Sequence, residues 1–205
     1  MVMIGASMLW VGWFGFNAGS ALAADGNAGM ALVVTHISAA TASLVWMIMD
    51  WSKFGKPTLI GLVTGTIAGL ASITPASGSV GPIGALIIGG SAGIICYLFV
   101  NIVKNKLRID DSLDVFAVHG IGGLLGILLV AFLVDSNIGG AGYAEGLNAI
   151  SQLLIQLKGT VAVLVLSVVA SIIIIYVVKF TVGLRVDESS EVEGLDISSH
   201  GETNG

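Results

Sequence analysis

The stretch MLWVGWFGFNAGSALAADG, residues 8–26, has two incompatible interpretations. Its apolar run ends in Ala21-Leu22-Ala23, which resembles a signal-peptide cleavage site, so the run could be an export signal that is removed. It could equally be a membrane helix that stays in the protein. A signal peptide begins with basic residues, and no Lys or Arg precedes Lys53. The sequence therefore favours a retained membrane helix.

The composition of the whole chain supports this choice. Charged residues make up 10% of the 205 positions and hydrophobic residues 55%, and the mean hydropathy is +0.98. A soluble domain carries about 25% charged residues, so this chain lacks a water-compatible surface. The net charge of −5 comes from residues 187–205, which contain six acidic residues and no Lys or Arg. A single cysteine, Cys96, excludes an internal disulfide.

Six apolar segments are separated by short polar loops. A membrane-spanning helix needs roughly 20 apolar residues to cross a hydrocarbon core about 30 Å thick. The third segment is short, and Pro75 and Pro82 bracket what we expect to be an ordered turn. We predict an all-α polytopic membrane protein with a membrane domain over residues 1–182 and an acidic tail over 183–205. The predicted helices are about 1–23, 29–49, 59–74, 83–103, 113–134 and 152–182.

The basic residues predict the orientation of these helices. Seven of the eight Lys and Arg residues fall in loops on one side of the predicted membrane, and only Lys158 falls near the other. Loops that carry excess Lys and Arg remain in the cytoplasm. We therefore expect a cytoplasmic tail and a first helix that runs outward, in the cell membrane. The seven residues are Lys53, Lys56, Lys104, Lys106, Arg108, Lys179 and Arg185.

Trp13, Phe16 and Ser20 have the spacing of side chains on one face of the first helix. Aromatic faces attract a desolvated cation, and a hydroxyl oxygen accepts a hydrogen bond from an N–H donor. This face is therefore a candidate binding surface for a small cation with N–H groups. The alternative is an aromatic belt on a packing helix whose contact surface consists of Gly12, Gly15 and Gly19.

The fifth segment, within DDSLDVFAVHGIGGLLG at 110–126, contains an ionisable side chain, His119. Such a group inside a membrane marks a substrate pathway or a proton relay by default. An apolar setting favours the neutral imidazole. The alternative is a structural histidine bonded to a neighbouring helix. Asp114 is expected to be structural, as a helix cap or loop anchor near the candidate site. A stripe of Gly120, Gly123 and Gly126 should allow close helix approach.

The other histidines are weaker candidates. His36 has hydroxyl-bearing neighbours that favour a structural role, and His200 lies in the acidic tail. The sequence has no phosphate-binding loop, metal-ligand cluster, nucleophile–base set or basic nucleic-acid patch, so we predict no cofactor, no metal and no enzymatic activity. A membrane enzyme using His119 and Asp114 is disfavoured because residues five apart point about 140° away from each other on a helix.

Six motifs in order resemble the ammonium transporter (Amt/MEP/Rh) family, in particular its bacterial and archaeal Amt branch. The motifs are GWFGFNAGSAL (12–22), GKPTLIGLVTGTIAGLASITPASG (55–78), DVFAVHGIGG (114–123), GGAGYAEG (139–146), TVGLRV (181–186) and EGLDISSHGE (193–202). The resemblance implies trimers of eleven-helix subunits. In each subunit, two inverted five-helix repeats surround a narrow hydrophobic pore, and an eleventh helix lies outside.

The resemblance also implies roles for individual residues. Phe16 would be one of two stacked gate phenylalanines, and Ser20 would supply the hydroxyl of an external ammonium-recruitment site. His119 would be one of two pore histidines, with Trp13 and Val115 lining the pore beside it. Ammonium would lose a proton at the outer site, and the amine would cross past the histidines. The tail would dock a PII-type signalling protein.

The chain departs from the family pattern in one respect. It begins where the sixth helix of the family begins, so the first five helices, with the second gate phenylalanine and the partner histidine, have no counterpart here. We therefore expect the C-terminal half of a transporter, inactive unless the other half completes it. The alternative is a non-transporting fragment that presents its tail to a PII-type protein.

Overall fold

The computed structural model describes residues 1–203, and helices are the only regular structure among them. This confirms the predicted all-α fold class. Six helices are long. They are α1 (Val2–Gly19), α2 (Gly26–Phe54), α3 (Leu59–Ile73), α4 (Pro82–Asn101), α5 (Gly122–Leu133, preceded by a π-helical turn over Phe116–Ile121) and α6 (Ala149–Thr181). Two short tail helices follow, α7 (Glu188–Glu193) and α8 (Leu195–His200).

Five of these six helices are long and apolar enough to cross a membrane, when α4 is counted with the π-helical turn Ile102–Lys106 that follows it and α5 with the turn that precedes it. The remaining helix, α3, is apolar but has only 15 residues, which corresponds to about 22 Å of helix. It ends just before Pro75, as the sequence suggests, because proline cannot donate the backbone hydrogen bond that would continue the helix. The turn after α3 is ordered by backbone bonds such as Ala76 N–H to the Ile73 carbonyl at 2.8 Å.

The ends of α2 lie outside the predicted limits for physical reasons. Asp25 caps its start, since one carboxylate oxygen accepts from the backbone N–H groups of Asn27 and Ala28 at 2.9 and 3.1 Å. The helix continues through polar residues to Phe54 and ends at Gly55, which has a φ of 71°. Asp50 near this end is buried, with 4% exposure. Polar side chains at a membrane boundary therefore do not end a helix.

The centre of the helical bundle is α2, which packs between α3 and α4. A Cβ atom added to Gly69 of α3 or to Gly89 of α4 would lie 2.5 Å from the carbonyl oxygen of Ser38. The Ser38 hydroxyl donates to the Gly69 carbonyl at 2.9 Å. Close approach through small residues, combined with interhelical hydrogen bonds, is how helices associate in lipid.

Close packing of α5 on α3 depends on two glycines, Gly122 and Gly126. A Cβ atom at Gly126 would lie 1.8 Å from the Ser72 carbonyl oxygen, and one at Gly122 would lie 2.7 Å from the Ser72 hydroxyl. The predicted stripe is therefore partly wrong. A Cβ at Gly123 would meet nothing within 4 Å, and one at Gly120 would meet only the ring of Phe116. The π-helical turn changes which residues face α3.

The chain divides into two compact units, residues 1–160 and residues 161–205. The first contains α1 to α5 and the start of α6. The second contains the rest of α6, α7 and α8, and the Ser198 hydroxyl joins the two tail helices by donating to the Ser190 carbonyl at 3.3 Å. The last two tail positions lie outside the described residues.

Candidate functional site

Trp13 and His119 form the centre of the candidate site. Trp13 projects from α1 and is half-buried, whereas His119 lies in the π-helical turn before α5 and is exposed. Their rings stack with centroids 6.3 Å apart and planes inclined by 13°. The Trp13 indole N–H donates to the hydroxyl of Thr74 at 2.7 Å. The structure thus brings together two predicted site residues and adds Thr74, a residue that no sequence pattern marks as part of the site.

Phe16 lies one turn beyond Trp13 on α1, and its side chain is 63% exposed. These two residues line an apolar groove of about 620 Å³ along α1. Ser20 caps the end of α1, and its hydroxyl donates to the Phe16 carbonyl at 2.7 Å. Because its proton is already used, the Ser20 oxygen is oriented to accept a hydrogen bond.

His119 lines a second groove, of about 460 Å³, together with residues of α1 and α3. Asp114 lines the same groove five residues earlier. Val115 is 52% exposed, and neither it nor Ser20 is among the residues that line these two grooves. The predicted site residues therefore occupy an open surface on α1 and on the segment before α5, instead of an enclosed channel.

Asp114 is a loop anchor and not a helix cap. It has a φ of 57°, and its carboxylate lies 2.7 Å from the Lys104 ammonium group. The cap is instead Asp111, whose carboxylate accepts from the backbone N–H groups of Val115 and Phe116 at 2.8 and 2.9 Å. The sequence signal for this cap was present in DDSLD, where an acidic residue precedes the helix start.

The turn that carries His119 is π-helical over Phe116–Ile121. A π-helical turn widens a helix locally, and such turns are frequent at functional sites. The Cys96 thiol lies 3.9 Å from the Val118 carbonyl in this turn. The irregular backbone therefore packs against α4 while His119 points into the groove. Within the described residues, no three His, Cys, Asp or Glu side chains are grouped so that they could hold a metal ion.

His36 does not belong to this site. Its ring stacks on Trp10 at a centroid distance of 5.2 Å and lies 6.0 Å from the ring of Phe14. The polar link between α1 and α2 is made next to it, where buried Asn17 donates to the Thr35 hydroxyl at 2.9 Å. These contacts give His36 a structural role in the packing of α2 on α1.

Comparison with known proteins agrees with this arrangement. A family model described as the Ammonium Transporter Family matches residues 1–205. The chain belongs to the ammonium transporter family. This confirms the family that the six motifs indicated, and the curated relatives are named as transporters and not as enzymes.

Two of these relatives show how much of the family the chain covers. It is 46% identical to an ammonium transporter of Aquifex aeolicus, over 98% of this chain and 47% of that protein. It is 48% identical to ammonium transporter Amt1 of Archaeoglobus fulgidus, over 98% of this chain and 51% of that protein. The chain thus spans about half the length of the curated relatives it matches.

Solved structures of the ammonium transporter family share the fold. The structure named Sensor Amt Protein matches with a TM-score of 0.87 and 32% identity, over 96% of this chain and 48% of that chain. Mep2 of Saccharomyces cerevisiae matches with a TM-score of 0.79 and 34% identity, over 91% of this chain and 48% of that chain. The helical fold described above is therefore shared with about half of each of these two chains.

Proposed function

We propose that this chain forms one wall of a pathway that carries ammonium or ammonia across a cell membrane. The observation that supports this most is the stack of Trp13 on His119 beside an apolar groove. An aromatic face next to an imidazole provides a hydrogen-bonding site for a small amine in surroundings that exclude ions. The names of the curated relatives agree with this substrate.

The proposed recruitment site is formed by Phe16 and Ser20 at the end of α1. Ammonium carries four N–H donors and no acceptor, so it needs an oxygen that accepts and a surface that tolerates its charge. The Ser20 oxygen has a free acceptor position because its proton is directed to the Phe16 carbonyl. The exposed Phe16 ring supplies a cation–π surface, a contact worth about 0.5–2 kcal/mol.

Passage beyond this site requires ammonium to transfer one proton to solvent water, to which the exposed end of α1 at Ser20 is open. An ion in an apolar path costs several kcal/mol, whereas neutral ammonia retains one lone pair and three N–H groups and moves at lower cost. The His119 imidazole can donate to that lone pair or accept from an N–H group. Val115 and Trp13 supply the apolar wall beside it.

The remaining wall is proposed to come from helices that match the other half of the relatives' length. On α1, Cβ atoms added to Gly5, Gly12 or Gly15 would meet nothing within 4 Å, so this face has room for a closely packed helix. We further propose that complete subunits form homotrimers, with the tail in the cytoplasm on the basic side of the membrane.

The tail is proposed to dock a PII-type signalling protein. Its helices α7 and α8 are almost entirely exposed. The segment between α6 and α7 is held by Arg185, which makes two bonds to the Glu191 carboxylate at 2.5 and 2.8 Å. An exposed but internally ordered tail also supports the second candidate function, a non-transporting fragment that only presents this surface.

The test is co-expression of the chain with the unmatched segment of the Archaeoglobus fulgidus relative, in cells without their own ammonium transporters. The measurement is uptake of radiolabelled methylammonium. We expect uptake only when both segments are present, and we expect His119→Ala to lower it at least about tenfold, which corresponds to ~1.4 kcal/mol in the barrier. The matched control is His200→Ala, in the exposed tail, which should leave uptake unchanged.

Absence of uptake when the two segments co-purify from the membrane would overturn the transport proposal. Binding of a PII-type protein to the tail under those conditions would support the second candidate function. Wild-type uptake in His119→Ala would remove His119 from the pathway.

A further inference from the structure

The Thr74 hydroxyl both accepts and donates a hydrogen bond within the protein. It accepts the indole N–H of Trp13 at 2.7 Å and donates its own proton to the Leu70 carbonyl at 2.7 Å. Thr74 is the residue that ends α3, just before Pro75. Its donor is therefore occupied, and the lone pair that faces α1 is occupied by Trp13.

We propose that Thr74 is a positioning residue that withholds the indole N–H of Trp13 from the transport path. The indole has one hydrogen-bond donor and no acceptor. While Thr74 holds this donor, Trp13 presents only its aromatic face to His119, with the two planes inclined by 13°. Thr74 thus acts on the path through the orientation of Trp13 and need not touch the substrate.

A second link of the same kind fixes the rotation of α1. Asn17, four residues after Trp13, donates to the Thr35 hydroxyl at 2.9 Å, and Thr35 donates in turn to the Ala31 carbonyl at 2.6 Å. Positions four apart lie on nearly the same helix face. Two threonines, one on α2 and one on α3, therefore hold α1 in one rotational setting, and the Trp13 plane is set by that rotation together with its own hydrogen bond.

The consequence for transport rests on the proposed function, whereas the hydrogen bond itself does not. Without Thr74 as acceptor, the indole N–H becomes free to donate to the lone pair of ammonia or to a water molecule. A donor on the wall would retain the amine at that level and slow its exit. Thr74 would therefore influence the turnover of the pathway more than its affinity for ammonium at the outer site.

The direct test is NMR of the detergent-purified chain labelled with ¹⁵N in its four tryptophans. Trp13→Phe identifies the Trp13 indole signal by deleting it. Thr74→Val keeps the side-chain shape but removes the acceptor, and Thr74→Ser restores it. The matched control is Thr41→Val, since Thr41 also donates to its own helix, to the Ile37 carbonyl at 2.7 Å, without an indole partner.

In Thr74→Val we expect the Trp13 indole proton to move upfield. Its hydrogen exchange should accelerate between about twofold and tenfold, the range that corresponds to the net free energy of one hydrogen bond. Thr74→Ser and Thr41→Val should keep the wild-type signal. The other three indole signals should be unchanged in every variant, which shows that the fold is retained. An unchanged Trp13 signal in Thr74→Val would overturn the proposal.

The effect on transport is tested with this chain co-expressed with the unmatched segment of the Archaeoglobus fulgidus relative. The test compares Thr74→Val with Thr74→Ser. We expect a lower maximal methylammonium uptake rate in the valine variant, with a smaller change in the half-saturating concentration, and recovery in the serine variant. A changed indole signal with wild-type uptake would overturn the role in the pathway and leave a packing contact. If the co-expressed pair transports nothing, the proposed function fails, and the NMR result still decides whether Thr74 holds Trp13.

Discussion

The Lys104 ammonium group lies 2.7 Å from the Asp114 carboxylate, and this pair joins the π-helical turn after α4 to the loop before the His119 turn. Asp114 adopts a left-handed backbone conformation, with a φ of 57°. Its backbone N–H donates to the Asp111 carbonyl at 3.1 Å, and its own carbonyl accepts from Val118 at 2.8 Å. Asp114 therefore fixes both the loop behind it and the turn ahead of it.

Two substitutions of Asp114 should distinguish the stability that its ion pair contributes from the stability that depends on its left-handed backbone conformation. Asp114→Asn removes the charge but tolerates the left-handed conformation, so we expect a loss of about 0.2–1 kcal/mol, typical of a partly exposed pair. Asp114→Ala should lose about 1–2 kcal/mol more because alanine is strained there. Thermal unfolding of the detergent-purified chain measures both. Lys104→Met is the control, and it should match Asp114→Asn. Equal losses in the alanine and asparagine variants would show that the backbone conformation carries no cost.

The contact of α5 with α3 predicts opposite effects for two glycines on one helix. Gly126→Ala places a Cβ atom 1.8 Å from the Ser72 carbonyl oxygen, so the helices must move apart, at a cost of at least about 1–3 kcal/mol. Gly123→Ala meets nothing within 4 Å and should stabilise the helix by about 0.5–1 kcal/mol. The apparent melting temperatures should therefore shift in opposite directions. A stable Gly126→Ala variant would contradict the described packing of α5 on α3.

The fold class was predictable because it depends on composition and on segment length. Apolar runs of about 20 residues leave a helix as the only economical structure in lipid. The register of α5 was not predictable in the same way. An α-helical pattern assigned Gly120 and Gly123 to the packed face, whereas the π-helical turn places Gly122 there. Such a turn depends on tertiary contacts and leaves no periodic signal in the sequence.

The candidate site likewise contains residues that the sequence predicts and residues that it does not. His119 could be proposed from the sequence because an ionisable side chain is costly within a membrane segment. Trp13 could be proposed because its spacing with Phe16 and Ser20 places the three side chains on one helix face. Thr74 could not, because hydroxyl groups that bond back to their own helix are common in such segments and carry no pattern. The sequence pattern favours Asp114 over Asp111 as the cap because Asp114 lies closer to the apolar run. Short-range sequence rules could not choose between these two acidic residues.

The Thr58 cap at the start of α3 should contribute more to stability than an exposed helix cap does. The Thr58 hydroxyl accepts from the Gly61 backbone N–H at 2.9 Å and donates to the buried Asp50 carboxylate at 2.5 Å. Thr58→Ala therefore loses a cap, worth about 0.5–2 kcal/mol, and a bond to a buried charged group, worth about 1.5–3 kcal/mol.

The control for this prediction is Asp25→Ala, which removes the exposed cap of α2. It should cost only the value of a helix cap, about 0.5–2 kcal/mol. Chemical or thermal unfolding of the two variants measures the difference, and Thr58→Ser should recover most of the loss. Equal destabilisation in Thr58→Ala and Asp25→Ala would show that Asp50 gains nothing from its contact with Thr58.

The tail helix α7 should lose order in acid. Hydrogen bonds from the Ser189 hydroxyl, then from the backbone N–H and hydroxyl of Ser190, lower the pKa of Asp187 from its ordinary value near 4 to about 2. The bond from Arg185 likewise lowers the pKa of Glu191. A carboxyl group whose pKa is lower in the folded state stabilises that state above its unfolded pKa. The contribution of Asp187 is therefore complete above about pH 4 and is lost as the pH falls towards 2.

Carboxyl ¹³C and amide NMR of the full chain between pH 6 and pH 2 tests this expectation. The Asp187 carboxyl should titrate near pH 2, and the α7 amide signals should move towards disordered values over the same range. Asp187→Asn keeps a capping oxygen without a titrating group, so its α7 signals should lose the part of the response that follows the Asp187 titration. A midpoint near 4 for Asp187 would mean that the cap does not form in solution, since the serine hydrogen bonds are what separate the two values.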